Sequence, residues 1–204
     1  MKDFIELIQK EVKPALGCTE PIAVALAVAK GCETLRDFGG ELCSVEVKVS
    51  GNILKNGMGV GIPGTGMVGL HIATALACFC GKSEYGLEVL KDLTQEDVNM
   101  AKEFVRQKKV SISLADTDKK LYVEVVCASV CGKHSSKVVI ADNHDSIVFV
   151  KGDSEVLLDL QSNMGNSQSG GANSKGTLDY NLSVDKIYDF AKNTKYRIII
   201  HYAK

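Results

Sequence analysis

The sequence has almost no net charge and no long apolar run, and each absence excludes a class of protein. Its 24 basic and 25 acidic residues give a formal net charge of −1, so bulk electrostatics provide no attraction to nucleic acid or to an anionic membrane. The longest apolar run, Pro21 to Ala29, is too short to span a bilayer. Residues 1–9 lack the pattern of a secretory signal. We therefore expect a cytoplasmic protein that binds neither nucleic acid nor membrane.

The cysteine content argues against a disulfide framework. The chain has 204 residues and seven cysteines; an odd number, in a chain long enough to bury a core without cross-links, is typical of reduced thiols. Cys127, Cys131 and His134 resemble metal-ligand spacing only loosely, because residues four apart on a strand lie about 13 Å from each other. The sequence favours thiols in a strand but leaves the role of these two cysteines open.

Apolar periodicity and capping residues predict helices early in the chain and short strands later. Helices are predicted at residues 3–11, 21–37, 67–80, 95–107 and 183–192. Strands are predicted at residues 42–50, 110–114, 121–131, 137–141 and 147–150. This order favours an α+β fold in which N-terminal helices and a glycine-rich loop pack on a largely antiparallel sheet.

Composition suggests three segments. Residues 1–160 are predicted to form the α+β domain that carries the substrate site. Residues 161–182, dense in Ser, Asn, Gln and Gly, are predicted to be a flexible linker. Residues 183–204 are predicted to form a C-terminal helix and apolar segment, the start of a second half that this chain lacks.

Residues 57–69 contain glycine at 57, 59, 61, 64, 66 and 69. Two stretches, 59–64 and 64–69, match the G-x-G-x-x-G pattern, but dinucleotide binding also needs a strand directly before the motif and an acidic residue after it. Because residues 52–56 separate the motif from the predicted strand, a nicotinamide-binding enzyme is a distant hypothesis.

The same run favours an anion-binding loop. Gly64-Thr65-Gly66 is predicted to lie just before a helix N-terminus, where exposed amides and the helix dipole favour a carboxylate or a phosphate. Asn52, Lys55 and Asn56 add donors beside it. A tight structural turn is the alternative interpretation of the glycines.

Cys18 lies between Gly17 and Thr19, the predicted N-cap of the second helix. A thiol at a helix start is expected to have a lowered pKa, which makes it a nucleophile or a metal ligand. Glu20 beside it could act as an acid or base. His144 falls in a predicted hairpin tip, where a solvated turn is the simpler interpretation and a presented functional group is the alternative.

Three motifs carry a resemblance to a known family. Residues 11–21 (EVKPALGCTEP), residues 49–69 with their SGNILKNG and IPGTGMVG segments, and residues 86–92 (GLEVLKD) resemble the serine-dehydratase-like, L-cysteine desulfidase family. The resemblance covers the chain to about residue 150.

The resemblance implies a cytoplasmic lyase that carries a [4Fe-4S] cluster and releases pyruvate and ammonia from L-cysteine or L-serine. By similarity, Cys18 would be the catalytic thiol or a neighbour or ligand of the cluster, and Glu20 and His144 would take part in catalysis. The substrate-binding residues would be Thr19, Ser50, Asn52, Lys55, Asn56, Gly64, Thr65 and Gly66.

Members of that family are longer than this chain, and their cluster cysteines lie in a second half. No cysteine follows Cys131 here. The resemblance therefore predicts the N-terminal half of such a lyase, without its own cluster, inactive alone and dependent on a missing C-terminal half or partner subunit. Homo-oligomer formation stays open. The alternative is a module that binds a small amino acid or carboxylate without catalysis.

Overall fold

The structure is a computed structural model that describes residues 2–161 and 183–194. The chain divides into two compact units, one of residues 15–166 and the other of residues 1–14 with 167–204. The predicted linker lies outside the described residues except at residue 161, and so does the apolar segment after residue 194. The proposed domain boundaries therefore stay a prediction.

The smaller unit contains two amphipathic helices, α1 (Lys2–Glu11) and α6 (Val184–Asn193). The rings of Phe4 and Phe190 stack with their centroids 4.6 Å apart. The Ser183 hydroxyl caps α6 by accepting a hydrogen bond from the Lys186 amide at 3.2 Å. Both helices were predicted from their apolar spacing and caps.

The larger unit is built on a six-stranded sheet with the order β4-β1-β5-β6-β7-β8. Its strands are β1 (Leu42–Val49), β4 (Val110–Leu114), β5 (Tyr122–Ser129), β6 (Ser135–Ala141), β7 (Ile147–Gly152) and β8 (Glu155–Asp159). Every neighbouring pair is antiparallel except β1 and β4, which are parallel. The predicted α+β class with a largely antiparallel sheet is confirmed.

Four helices and one small hairpin complete this unit. The helices are α2 (Thr19–Asp37), α3 (Gly51–Gly57), α4 (Leu70–Cys80) and α5 (Gln95–Arg106), with a 3-10 segment at Ser83–Glu88. The hairpin is formed by β2 (Gly61–Ile62) and β3 (Met67–Val68). Within the part of the chain that the structure describes, no helix is long and apolar enough to cross a bilayer.

Helix α2 is the centre of the core. Every residue from Pro21 to Ala29 is buried, as the nearly continuous apolar sequence indicates. The helix approaches the sheet most closely at Gly31, where a Cβ atom would lie 2.9 Å from the Cys127 sulfur. There the Ser136 hydroxyl donates to the Gly31 carbonyl at 2.6 Å. Small residues on α2 thus allow the helix backbone to contact side chains of β5 and β6 directly.

The strand register brings three chain segments to one end of the sheet. Val49, at the end of β1, pairs with Val123 near the start of β5. Tyr122, the first residue of β5, pairs with Ala141, the last residue of β6. The residues that follow β1, precede β5 and follow β6 are therefore neighbours.

Several elements differ from the sequence prediction. No helix was predicted at residues 51–57, but these residues form α3. Ile53, which is 2% exposed, anchors this helix to the core. The hairpin β2–β3, the 3-10 segment and the outer strand β8 were not predicted. The β1–β4 pair is parallel because α3, α4 and α5 lie between the two strands and provide the long crossover that parallel pairing needs.

Gly81→Ala is expected to destabilise the fold. A Cβ atom there would lie 2.5 Å from the Ala77 carbonyl oxygen and 2.8 Å from the Ala29 methyl group, and the first of these is backbone. We expect urea denaturation to give a free energy of unfolding lower by about 1–3 kcal/mol. Gly59→Ala is the matched control, since nothing lies within 4 Å of its Cβ position; equal losses in both variants would contradict the packing argument.

Candidate functional site

A small polar cavity of about 200 Å³ lies at the end of the sheet where the three segments meet. It is lined by Glu20, Asn52, Ile53, Asn56, Lys120, Leu121 and His144. These residues come from the first turn of α2, from α3, from the segment before β5 and from the turn after β6. The cavity is below the size of typical drug-like pockets, so it suits a ligand of a few heavy atoms.

Local structure explains why the predicted polar residues converge. Asn52 and Asn56 are four residues apart on α3, so they lie on the same helical face. His144 lies in the short turn between β6 and β7, as the sequence predicted. Glu20 belongs to the first turn of α2, whose buried part fixes the position of its N-terminus.

Hydrogen bonds join the opening motif to α3. The Cys18 thiol donates to Glu20 Oε2 at 2.7 Å, and Asn56 Nδ2 donates to Glu20 Oε1 at 3.2 Å. Both carboxylate oxygens of Glu20 therefore accept from side chains that the sequence had placed in the site. The Asn56–Glu20 hydrogen bond joins two residues that are 36 positions apart in the chain.

The Cys18 thiol behaves differently from the sequence prediction. Its hydrogen bond to the Glu20 carboxylate, reinforced by partial burial, raises the pKa of Cys18 above the ordinary thiol value. The same bond lowers the pKa of Glu20, and the Asn56 amide and the charge of His144 act in the same direction. The expected lowered pKa of Cys18 is wrong because a fixed negative charge outweighs the helix dipole. In this structure Cys18 is a thiol donor beside an ionised carboxylate.

The glycine run forms a hairpin and not a strand–turn–helix unit. Gly64-Thr65-Gly66 is its tip, with positive φ at both glycines, and α4 begins only at Leu70. The Thr65 hydroxyl donates to the Ile62 carbonyl at 2.7 Å and accepts from the Met67 amide at 2.9 Å. The predicted position directly before a helix is therefore wrong, and these residues do not line the cavity. A Cβ on Gly17 would lie 3.6 Å from Pro63, so the hairpin contacts the Cys18 loop instead.

Four other predicted residues also lie outside the cavity wall, and Cys18 is one of them. Thr19 is the first residue of α2, and its predicted position as N-cap is taken by Cys18. Ser50 is 2% exposed, and its hydroxyl donates to the Lys120 carbonyl at 2.9 Å and accepts from the Tyr122 amide at 3.3 Å. Lys55 is exposed on α3. Ser50 thus holds the backbone beside the cavity.

Lys120 is a cavity residue that the sequence analysis missed. It lies just before β5, and its carbonyl is held by Ser50. The paired lysines at the start of a predicted strand were the available signal. A lysine before a strand is usually solvated, however, and only the register of β1 with β5 and β6 brings it beside His144.

The described residues do not fit an iron–sulfur centre by themselves. Within residues 2–161 and 183–194, no three His, Cys, Asp or Glu side chains converge as metal ligands. Cys18 is exposed and hydrogen-bonded to Glu20, while Cys127 is buried in β5 and Cys131 is exposed in the turn after it. Cys18 precedes α2, whereas Cys127 and Cys131 belong to β5 and the turn that follows it.

A larger groove of about 640 Å³ lies along α4 and α5. Its walls are mainly apolar and include Phe79, Met100 and Phe104. The polar cavity is the better candidate for chemistry, because it brings ionisable and amide side chains from four separate segments together.

The geometry defines a class of domain, an α+β domain with a small polar cavity at one end of its sheet. Comparison with known proteins adds that the chain is 50% identical over 191 residues to a UPF0597 protein of Bacteroides thetaiotaomicron. It is 44% identical over 176 residues to one of Clostridioides difficile and 40% identical over 196 residues to one of Oleidesulfovibrio alaskensis.

These alignments cover 93%, 86% and 96% of this chain but 42%, 40% and 43% of the respective relatives. The chain therefore spans less than half the length of the curated relatives it matches. No protein-family model matches the chain. No solved structure matches it either.

These relatives contradict the family assignment that the motifs had predicted. They are named UPF0597 proteins, and neither a serine-dehydratase-like, lyase nor iron–sulfur designation appears in those names. The motifs at residues 11–21 and 49–69 therefore do not assign this chain to the serine-dehydratase-like family, and the similarity that the comparisons show is to UPF0597 proteins.

Alkylation rates can test the opposite environments of the two exposed thiols, Cys18 and Cys131. The pKa of Cys131 is lowered by the Ser129 hydroxyl and by the Lys133 and His134 amides, whereas that of Cys18 is raised by Glu20. Because the thiolate is the reacting form, we expect iodoacetamide at pH 7 to modify Cys131 several-fold faster, as measured by peptide mass spectrometry.

Glu20→Gln is expected to accelerate modification of Cys18, because it removes the carboxylate that holds the thiol proton. Glu46→Gln, on an exposed position of β1, is the control and should leave the Cys18 rate unchanged. Faster modification of Cys18 than of Cys131 in the wild-type chain would contradict the assigned hydrogen bond.

Proposed function

We propose that this chain forms the ligand-binding part of a longer protein and that its polar cavity binds a small amino acid or a related carboxylate. The observation that carries the proposal is the convergence of Glu20, Asn52, Asn56 and His144 in one cavity of about 200 Å³. Four polar side chains from three separate segments converge here, and such convergence is typical of a site that orients a small polar ligand.

The chemistry of the cavity suits a ligand with an ammonium group. Glu20 is ionised, and its two oxygens already accept from a thiol and an amide, so it can accept from a ligand ammonium in the same way. Asn52 and Asn56 offer amide donors and acceptors on one face of α3. A cavity of about 200 Å³ has room for a ligand of the size of serine or cysteine.

A second candidate function, proton transfer to or from the bound ligand, is favoured by the Cys18–Glu20 hydrogen bond of 2.7 Å. The pair holds a proton on sulfur next to an ionised carboxylate, and of its two members Glu20 lines the cavity together with His144. Such a pair can donate or accept a proton once a ligand displaces one of its hydrogen bonds. A binding module has no need of this arrangement.

Calorimetry with L-serine and L-cysteine tests the binding proposal. We expect both to bind, and Glu20→Gln to weaken binding about tenfold, because a charge-assisted hydrogen bond becomes a neutral one. Since the pKa of Glu20 lies below its ordinary 4.5, binding should persist from pH 8 to pH 5 and weaken only at lower pH, where the carboxylate becomes protonated.

Glu46→Gln is the matched control and should bind as the wild type does. A pyruvate assay on the same samples separates binding from chemistry: the chain alone should bind without releasing pyruvate. Binding that is indifferent to Glu20 would contradict the placement of the ligand, and turnover by this chain alone would contradict its role as part of a longer protein.

A further inference from the structure

Lys120, an exposed residue just before β5, lines the cavity. Among the described residues, its ammonium group makes no ion pair or hydrogen bond, although the residue lines the cavity. The adjacent Lys119 differs, because its ammonium contacts both oxygens of Asp142 at 2.8 and 2.9 Å. Lys119 is thus paired with a carboxylate, whereas the adjacent Lys120 is not.

The backbone of Lys120 is held in place. Ser50, buried at 2% exposure, donates its hydroxyl to the Lys120 carbonyl at 2.9 Å. The Ser50 amide donates to the Tyr122 carbonyl at 2.9 Å, and the Tyr122 amide donates to the Ser50 hydroxyl at 3.3 Å. Three hydrogen bonds therefore tie the residues around Lys120 to the end of β1, which limits where its side chain can reach.

The cavity is therefore lined by an acidic and a basic residue that do not pair. Glu20 and Lys120 line the same small space, and among the described residues no salt bridge joins them. An acidic and a basic side chain that are not paired with each other can each pair with a ligand that itself carries both signs, such as the ammonium and carboxylate groups of a free α-amino acid.

We propose that Lys120 selects ligands with a free carboxylate, while Glu20 binds their ammonium group. The inference rests on the proposed function of the cavity and makes Lys120 its specificity-determining residue. Ser50 is then a positioning residue, which acts through the backbone of Lys120 and does not touch the ligand.

Calorimetric titration of the full chain with three compounds tests the assignment. L-serine carries both charged groups, L-serinamide lacks the carboxylate, and 3-hydroxypropionate lacks the ammonium group. We expect the wild type to bind L-serine at least about tenfold more tightly than L-serinamide, as expected for the loss of one charge-assisted contact. Lys120→Met should abolish that preference, and Lys120→Arg should keep part of it.

Lys119→Met is the matched control, because it removes a neighbouring lysine whose charge is already neutralised by Asp142. It should retain the wild-type preference, and circular dichroism should confirm that each variant is folded. Equal binding of L-serine and L-serinamide by the wild type, or an unchanged preference in Lys120→Met, overturns the role of Lys120 alone. Failure of all three compounds to bind the wild type overturns the proposed function and this assignment with it.

Discussion

The close packing of helix α2 on the sheet is the constraint on which the rest of the larger unit depends. Alanine and glycine on the helix let it lie against β5 and β6 at a distance that larger side chains would prevent, as the contact of Gly31 with Cys127 and Ser136 illustrates. Loss of this fit would expose a helix that is apolar on several faces. Burial of residues 21–29 also fixes the helix N-terminus, and with it Cys18 and Glu20.

The walls of the cavity come from two parts of the fold that are positioned independently. Helix α2 delivers Glu20 from one side, and the register of β1, β5 and β6 delivers α3, Lys120 and His144 from the other. The hydrogen bond from Asn56 to Glu20 closes the gap between them at 3.2 Å. A site assembled from a packed helix and a sheet edge is preorganised, so the proposed ligand would bind without the cost of ordering its walls.

Electrostatics give the cavity its chemical character. Glu20 is held as a carboxylate by its neighbours, and it in turn keeps the Cys18 proton on sulfur. Had the thiol faced only the helix dipole, it would be the activated nucleophile that the sequence motif indicated. A hydrogen bond of 2.7 Å therefore keeps the proton on the Cys18 sulfur, in place of the thiolate that the sequence motif indicated.

The sequence alone determined the fold class and most helices and strands, because these depend on local periodicity. It also singled out Glu20, Asn52, Asn56 and His144 as candidate site residues. Only the tertiary structure decided that residues 61–68 form a hairpin away from the cavity, that Lys120 lines it and that the pKa of Cys18 is raised. Each of these depends on which distant segments become neighbours. That choice is made by packing and strand register, which no local pattern encodes.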